Sequence, residues 1–463
     1  MTKSDVKTSP HMRALLSNGS DLGFLRFSSL TVIAAVVALG SLFFRFTWKY
    51  SVNVLFWDQW GFLTPFFRHT PGLGELFLEQ WGPHREGIGL IADRALYPIT
   101  AWNTRAESLL IASCIFLAML LALALKCKLF GRLSYSDVAI PLIFLTLAQW
   151  ETVVGTPNPA HSAFPLLMIM SYCLALQLKH RLLRHSCLLL LNIFLIYTGF
   201  GVFMGVVTLG IFGLELYRNM RGLTRESAIL PLASFVIASA SLASFFVHYV
   251  RWPAVGCFVF PYHPLISYVW FTGLMFWEFL GPAIHWRIGS AVGTLILVSV
   301  VILLVIQVRR LLMSKCPTEA TLVGALLLSY SLLFAVNTGF GRVCLGLQAA
   351  EGSRYVTLLI PTFLAIYFYL LSITSGPVKI CALTIFVFLL IPSAVTVRQG
   401  AHWSADGKRA WVACYWRTDN IGLCDDAVGF KIHPYPEDDD GLKEKLDYLK
   451  EHKLNLFAGY SAE

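Results

Sequence analysis

The chain has 463 residues, 56% hydrophobic and 14% charged, with a mean hydropathy of +0.65. That balance excludes an ordinary soluble domain and points to an all-α polytopic membrane protein, whose apolar runs are long enough to cross about 30 Å of hydrocarbon. The net charge of +9 implies no nucleic-acid partner, because the Lys and Arg residues gather in short links between apolar runs, as membrane topology requires.

In chain order, a polar arm at 1–26 precedes an apolar run at 27–46 that ends without a small-residue cleavage site, so it reads as a retained anchor with a cytoplasmic N-terminus. Hydropathy then places crossings near 108–125, 138–154, 162–178, 186–199, 200–216, 229–248, 289–307, 320–338, 354–374 and 379–397, about eleven in all. The pair 186–199 and 200–216 is divided by "TGFG", a tight-turn signal. The clusters Lys126/Lys128/Arg132, Lys179/Arg181/Arg184, Arg218/Arg221/Arg225 and Arg309/Arg310/Lys315 all fall in the cytoplasm on this count, provided that 265–283 is a re-entrant or interfacial segment. The transmembrane domain is then 27–397. Its first extracytoplasmic loop, 47–107, and a polar tail, 398–463, face the same side. Cys414 and Cys424 in that tail pair if the compartment is oxidising. The stretch "LKEKLDYLKEHKLNLF" at 442–457 has the pattern of an amphipathic helix on the membrane or on the loops.

Ionisable residues in so apolar a chain are costly unless paired or wet, which makes each a functional candidate. Of 27 acidic residues, 12 lie from residue 398 onward and six in the first loop, including Asp58 within "FWDQW". Its aromatic neighbours are expected to sit in the membrane interface and hold a partly desolvated carboxylate at a cavity mouth, where it accepts a proton from a hydroxyl. "GPHRE" adds His84, Arg85 and Glu86. "LAQWETVVGTPNPAHSAF" places Glu151 beside Gln149, Asn158 and His161, groups that hydrogen-bond sugar hydroxyls, with Trp150 available to stack on a ring. "NTGFGRVCLGLQAAEGSRY" brings Arg342, Arg354 and Tyr355 to the extracytoplasmic side, where arginines need an anion and a phosphate matches their geometry.

An acid between aromatics in a large first loop, a His-Arg pair further along it, a Gln/Glu cluster after the third crossing and a late "SRY" before Pro361 together resemble bacterial polytopic glycosyltransferases of the GT-C superfamily. The resemblance implies a sugar donor linked to polyprenyl phosphate, a glycan or lipid-glycan acceptor such as O-antigen or lipopolysaccharide, and a site facing the periplasm or exterior of a bacterial inner membrane. It implies that Asp58 is the general base and that Arg342 or Arg354 holds the donor phosphate. His84, Arg85 and Glu86 would shape the donor or acceptor site, and Glu151 would bind sugar. Many relatives carry two adjacent acids in the first loop. Here Gln59 follows Asp58, so no metal ligand is assigned and the divalent metal that some relatives use stays open. A single displacement would invert the anomeric centre. Two other readings also use arginines and a membrane cavity: a flippase or transporter of lipid-linked glycans, and an O-antigen polymerase or ligase.

Overall fold

The computed structural model describes residues 10–222, 227–251, 255–281, 286–314, 316–434 and 441–459, with the backbone alone for 10–26. Residues 1–9 of the N-terminal arm, Arg225, Lys315 and the acidic run 436–440 lie outside the described residues. The chain is 77% helical with almost no strand, an all-α membrane protein. Among the described residues six helical stretches are long and apolar enough to cross a membrane: Phe27–Tyr50, Thr104–Phe130, Trp286–Met313, Glu319–Leu345, Ser353–Leu371 and Gly376–Thr418.

Helix α1 (Pro10–Tyr50) begins inside the expected polar arm and runs unbroken into the first span. The first loop is mostly short helices: α2 (Gln59–Phe62), α3 (Thr64–Arg68), α4 (Leu73–Leu78) and α5 (Gly87–Thr100). A two-residue hairpin, β1 (Gln80–Trp81) with β2 (His84–Arg85), turns the chain between α4 and α5. The aromatic residues of "FWDQW" do not form an interfacial belt. Trp60 is fully buried, Phe56 stacks on Phe430 with ring centroids 5.4 Å apart, and Trp57 alone is exposed.

After α6 (Thr104–Phe130) the expected crossing at 138–154 is not one helix. It breaks into a 3-10 turn, α7 (Ala139–Phe144), a second 3-10 turn at Leu147–Gln149 and a π-helical turn at Glu151–Gly155. Broken backbone at membrane depth persists only where something satisfies it. Here Gln149 Nε2 donates to Phe144 O at 2.7 Å, and buried Lys408 donates to the carbonyls of Val154, at 3.2 Å, and Gly155.

The helices α8 (Ala163–Ala175), α9 (Arg181–Ile196), α10 (Val202–Met220) and α11 (Ile229–Ser244) follow, with "TGFG" forming the α9–α10 turn. Helix α12 (Ile266–Leu280) occupies the segment read as re-entrant or interfacial. Ile266, Val269 and Trp270 at its start are exposed, whereas Phe271, Leu274, Met275, Phe276 and Phe279 are fully buried, and the helix packs along α13 (Trp286–Met313). Tyr268 meets Phe340 near the end of α14 (Glu319–Arg342), and Glu278 pairs with Arg398 at 3.4 Å, just beyond α16 (Gly376–Val395). Helix α15 (Val356–Leu371) separates α14 from α16.

In the tail, α17 (Gln399–Thr418), α18 (Ile421–Val428) and α19 (Leu442–Glu451) fold back over the first loop. Helix α19 is shorter than its pattern suggested and ends at Glu451. Its Leu442, Leu446 and Leu449 are buried, and Tyr448 meets Phe67 of α3. Asn455 donates to Asn53 Oδ1 and Trp102 O, tying the chain end to both ends of the first loop. Cys414 and Cys424 form the expected disulfide. A second, Cys257–Cys344, joins the loop before α12 to the segment after α14.

The α12–α13 contact depends on two glycines. A Cβ on Gly293 would stand 2.0 Å from Gly273 O, and one on Gly273 would stand 2.7 Å from Thr294 N. Backbone atoms on both sides cannot step aside, so Gly293→Val is expected to cost about 1–3 kcal/mol and to lower the thermal midpoint of the purified protein in detergent. An unchanged midpoint would show that this pair does not govern the packing.

Candidate functional site

Asp58, Glu151, Arg342, Arg354 and Tyr355, drawn from three separate stretches of sequence, line one cavity of about 210 Å3. Trp57, Trp150, Asn158, His161, Phe200, Trp403 and Ser404 complete much of its wall.

Trp57 adopts a left-handed backbone at φ 53°, a conformation that costs a bulky residue about 1 kcal/mol or more. Its N–H donates to Ile432 O at 2.8 Å, so the tail holds this turn. Asp58 follows at the N-terminus of α2, and its side chain makes no capping hydrogen bond there. The carboxylate is exposed at the mouth of the cavity, not desolvated as expected. Gln59, next to it, is fully buried. Its Nε2 donates to Glu107 Oε2 and to Pro157 O, each at 3.0 Å, and its Oε1 accepts from Phe56 N at 3.0 Å. With Gln59 spent on structure, Asp58 has no second ligand beside it. Among the described residues no three His, Cys, Asp or Glu side chains gather as a metal site would require.

Arg342 and Arg354 flank Tyr355. Arg342 Nη1 donates to the Tyr355 hydroxyl at 3.0 Å, and the two guanidinium carbons lie 5.7 and 5.5 Å from its ring centroid. Among the described residues neither guanidinium has a carboxylate within ion-pair distance, though the carboxylates of Glu151 and Asp58 stand close enough to Arg354 to act on its charge. Glu351, the nearest acid in sequence, is not paired with either. Glu151 accepts from Ser353 Oγ at 3.3 Å and from Arg354 N at 3.0 Å, so its carboxylate braces the backbone that carries Arg354 while also reaching the cavity. Two guanidinium groups facing one cavity, neither in a direct ion pair among the described residues, can hold an anion there.

The triplet His84, Arg85 and Glu86 does not line the cavity. Arg85 is buried, and its guanidinium donates to the carbonyls of Leu78, Phe245 and Val247, which makes it a clamp between the first loop and the end of α11 rather than a ligand-binding group. Glu86 is buried behind the wall, accepting from Asn158 Nδ2 at 3.1 Å and lying 2.5 Å from His161 Nε2. His84 packs against Phe200, with ring centroids at 4.4 Å, and against His161 at 5.0 Å. Sequence reasoning placed His161, in "NPAH", only among the groups near Glu151 that could bind sugar, and it did not name Trp403 and Ser404, which arrive from α17. Gly400 lets α17 approach, since a Cβ there would stand 2.4 Å from the Trp150 ring. Comparison of the chain with protein-family models, curated proteins and solved structures finds no match.

Burial, then the charges of His161 and Arg342, hold His84 well below its ordinary value of 6.5. Above about pH 6.5 the folded and unfolded chains both carry it neutral. As pH falls below that, the unfolded chain takes up a proton that the folded chain refuses, and stability declines. His84→Phe is expected to make the acid-side fall in thermal midpoint shallower while leaving the midpoint near pH 8 little changed. An unaltered slope would mean that His84 does not contribute to it.

Proposed function

We propose that the chain is an inverting membrane glycosyltransferase that moves a sugar from a polyprenyl-phosphate donor to a cell-surface or lipid-linked glycan acceptor. The observation that carries this reading is the pairing, in one cavity, of an exposed carboxylate, Asp58, with two arginines, Arg342 and Arg354, that form no direct ion pair among the described residues. The transfer needs those two functions together. The acceptor hydroxyl gives its proton to Asp58 as its oxygen attacks the anomeric carbon, while the carbon–oxygen bond to the phosphate breaks and the arginines hold the charge that builds there. Trp150, Trp403 and Asn158 supply the stacking and hydrogen-bonding surface that a sugar ring requires.

The same reading places the cavity on the extracytoplasmic side of a bacterial inner membrane. Both disulfides lie at the cavity end of the fold, which suits an oxidising compartment. Helix α10 follows Phe200 and α14 ends at Arg342, both on the cavity wall, and α6 begins where Glu107 meets Gln59 next to Asp58; Arg218, Glu319 and Lys126 lie at the opposite ends. At that far end Lys126 pairs with Asp137 at 2.7 Å and Arg218 donates to the carbonyls of Leu311 and Ser314. Basic residues at one end and disulfides at the other agree with the positive-inside rule, and about eleven crossings would satisfy it.

The test is sugar transfer by purified protein, using a panel of synthetic polyprenyl-phosphate hexoses and pentoses. Asp58→Asn is expected to lower kcat by about a hundredfold or more at unchanged expression, and Arg354→Ala to raise KM for the donor at least tenfold. Donor translocation without cleavage would replace the reading with a flippase. Independently, a reporter fused after residue 400 should behave as extracytoplasmic; cytoplasmic behaviour would make α12 a true crossing and move the tail to the other side.

A further inference from the structure

His161 is held more firmly than a wall residue requires. Its Nε2 lies 2.5 Å from Oε1 of Glu86, whose side chain is 1% exposed, and the other Glu86 oxygen accepts from Asn158 Nδ2 at 3.1 Å. Asn158 Oδ1 in turn accepts from Ala160 N at 2.9 Å and His161 N at 3.3 Å, fixing the turn that carries the ring. On its other flank a Cβ on Gly199 would stand 2.4 Å from His161 Cδ2, so only glycine at that position lets the α9–α10 turn close on the imidazole. With Nε2 taken by the carboxylate and the Cδ2 edge facing Gly199, Nδ1 is the ring nitrogen left to meet a ligand in the cavity that His161 lines.

The surroundings say which part of a substrate it meets. His84, behind the cavity wall, is 5.0 Å from His161 and close enough to Arg342 for that charge to oppose its protonation, so His161 and Arg342 both stand near it on the wall. A third cation beside Arg342 is tolerable where a buried carboxylate neutralises it, which is what Glu86 supplies. The charged and titratable groups near this point are Glu86 from the start of α5, with Asp93 about two helical turns further along it, His84 from β2 and Arg342 from α14. Asp58, Glu151 and Arg354 line the same cavity.

Resting on the glycosyl-transfer reading above, we propose that His161 in its imidazolium form is the general acid for the leaving lipid phosphate and that Glu86 is the positioning residue that keeps it charged. The step balances. The acceptor O–H proton passes to Asp58, the acceptor oxygen bonds to the anomeric carbon, and the electron pair of the broken bond stays on the phosphate oxygen. His161 Nδ1–H gives that oxygen its proton, so a monoanionic lipid phosphate leaves neutral imidazole behind. A phosphate monoester takes its second charge near pH 6, so at neutral pH a protonated leaving group depends on a donor such as this one.

Two measurements test it. In transfer assays the wild-type kcat is expected to show an alkaline limb. His161→Gln removes that limb and lowers kcat about a hundredfold, with the donor KM changed less than threefold, while Glu86→Gln moves the limb to lower pH because the charge that favours imidazolium is gone. In binding assays that need no turnover, polyprenyl monophosphate is titrated into the reconstituted wild type, His161→Gln and Glu86→Gln from about pH 7 to 9. Wild-type affinity falls as pH rises and the His161→Gln affinity stays flat. A wild-type profile without an alkaline limb in either assay, or a limb retained in His161→Gln, overturns the proposal even if transfer itself is established. Absence of transfer from every donor, with pH-dependent monophosphate binding intact, would instead count against the glycosyltransferase reading and leave His161 as a phosphate-binding cation.

Discussion

The buried amide of Gln59 is the contact on which the cavity depends. Both of its N–H groups and its oxygen are used, joining the first loop to α6 through Glu107, to the segment after the π-helical turn through Pro157, and to its own turn through Phe56. Few other side chains donate and accept at once in so small a volume. An acid at this position could not donate to Pro157 O and would face Glu107 at close range. The residue that first looked like a missing second carboxylate is what holds Asp58 at the cavity mouth.

Other polar residues solve the same problem elsewhere, where irregular backbone lies deep in the protein and every carbonyl needs a donor. Lys408 caps the π-helical turn, Arg85 gathers three carbonyls from two distant segments, and Gln149 closes the end of α7. These groups free the chain from continuous helix between 139 and 162, so Trp150, Glu151, Asn158 and His161 can turn toward one space. Much of the polarity in this apolar chain is therefore spent on shaping the cavity rather than on contact with a ligand.

That division explains why some candidates were legible and others were not. Asp58, Arg342, Arg354 and Glu151 could each be nominated singly, because a charge in so apolar a setting must be compensated or used. Arg85 met the same criterion for a different reason: a guanidinium suits backbone carbonyls as well as it suits phosphate, and only the positions of residues 78, 245 and 247 distinguish the two. His161 carried a weak signal in a polar stretch, but its pairing with Glu86 spans 75 positions and has no local pattern. Trp403 and Ser404 carried none, since α17 reads as an ordinary polar helix until Gly400 lets it lie against Trp150.

Local chemistry was enough to determine an all-helical membrane protein, the turn at "TGFG", the polar tail and the cysteine pair within it, because hydropathy, glycine and short spacing act over a few residues. Tertiary structure alone decided that the third apolar run breaks, that α12 is buried along α13, that Cys257 reaches Cys344 and that five distant ionisable or aromatic residues share a cavity. Each of those outcomes turns on backbone groups finding partners far away in sequence, and no pattern confined to neighbouring residues records where such partners lie.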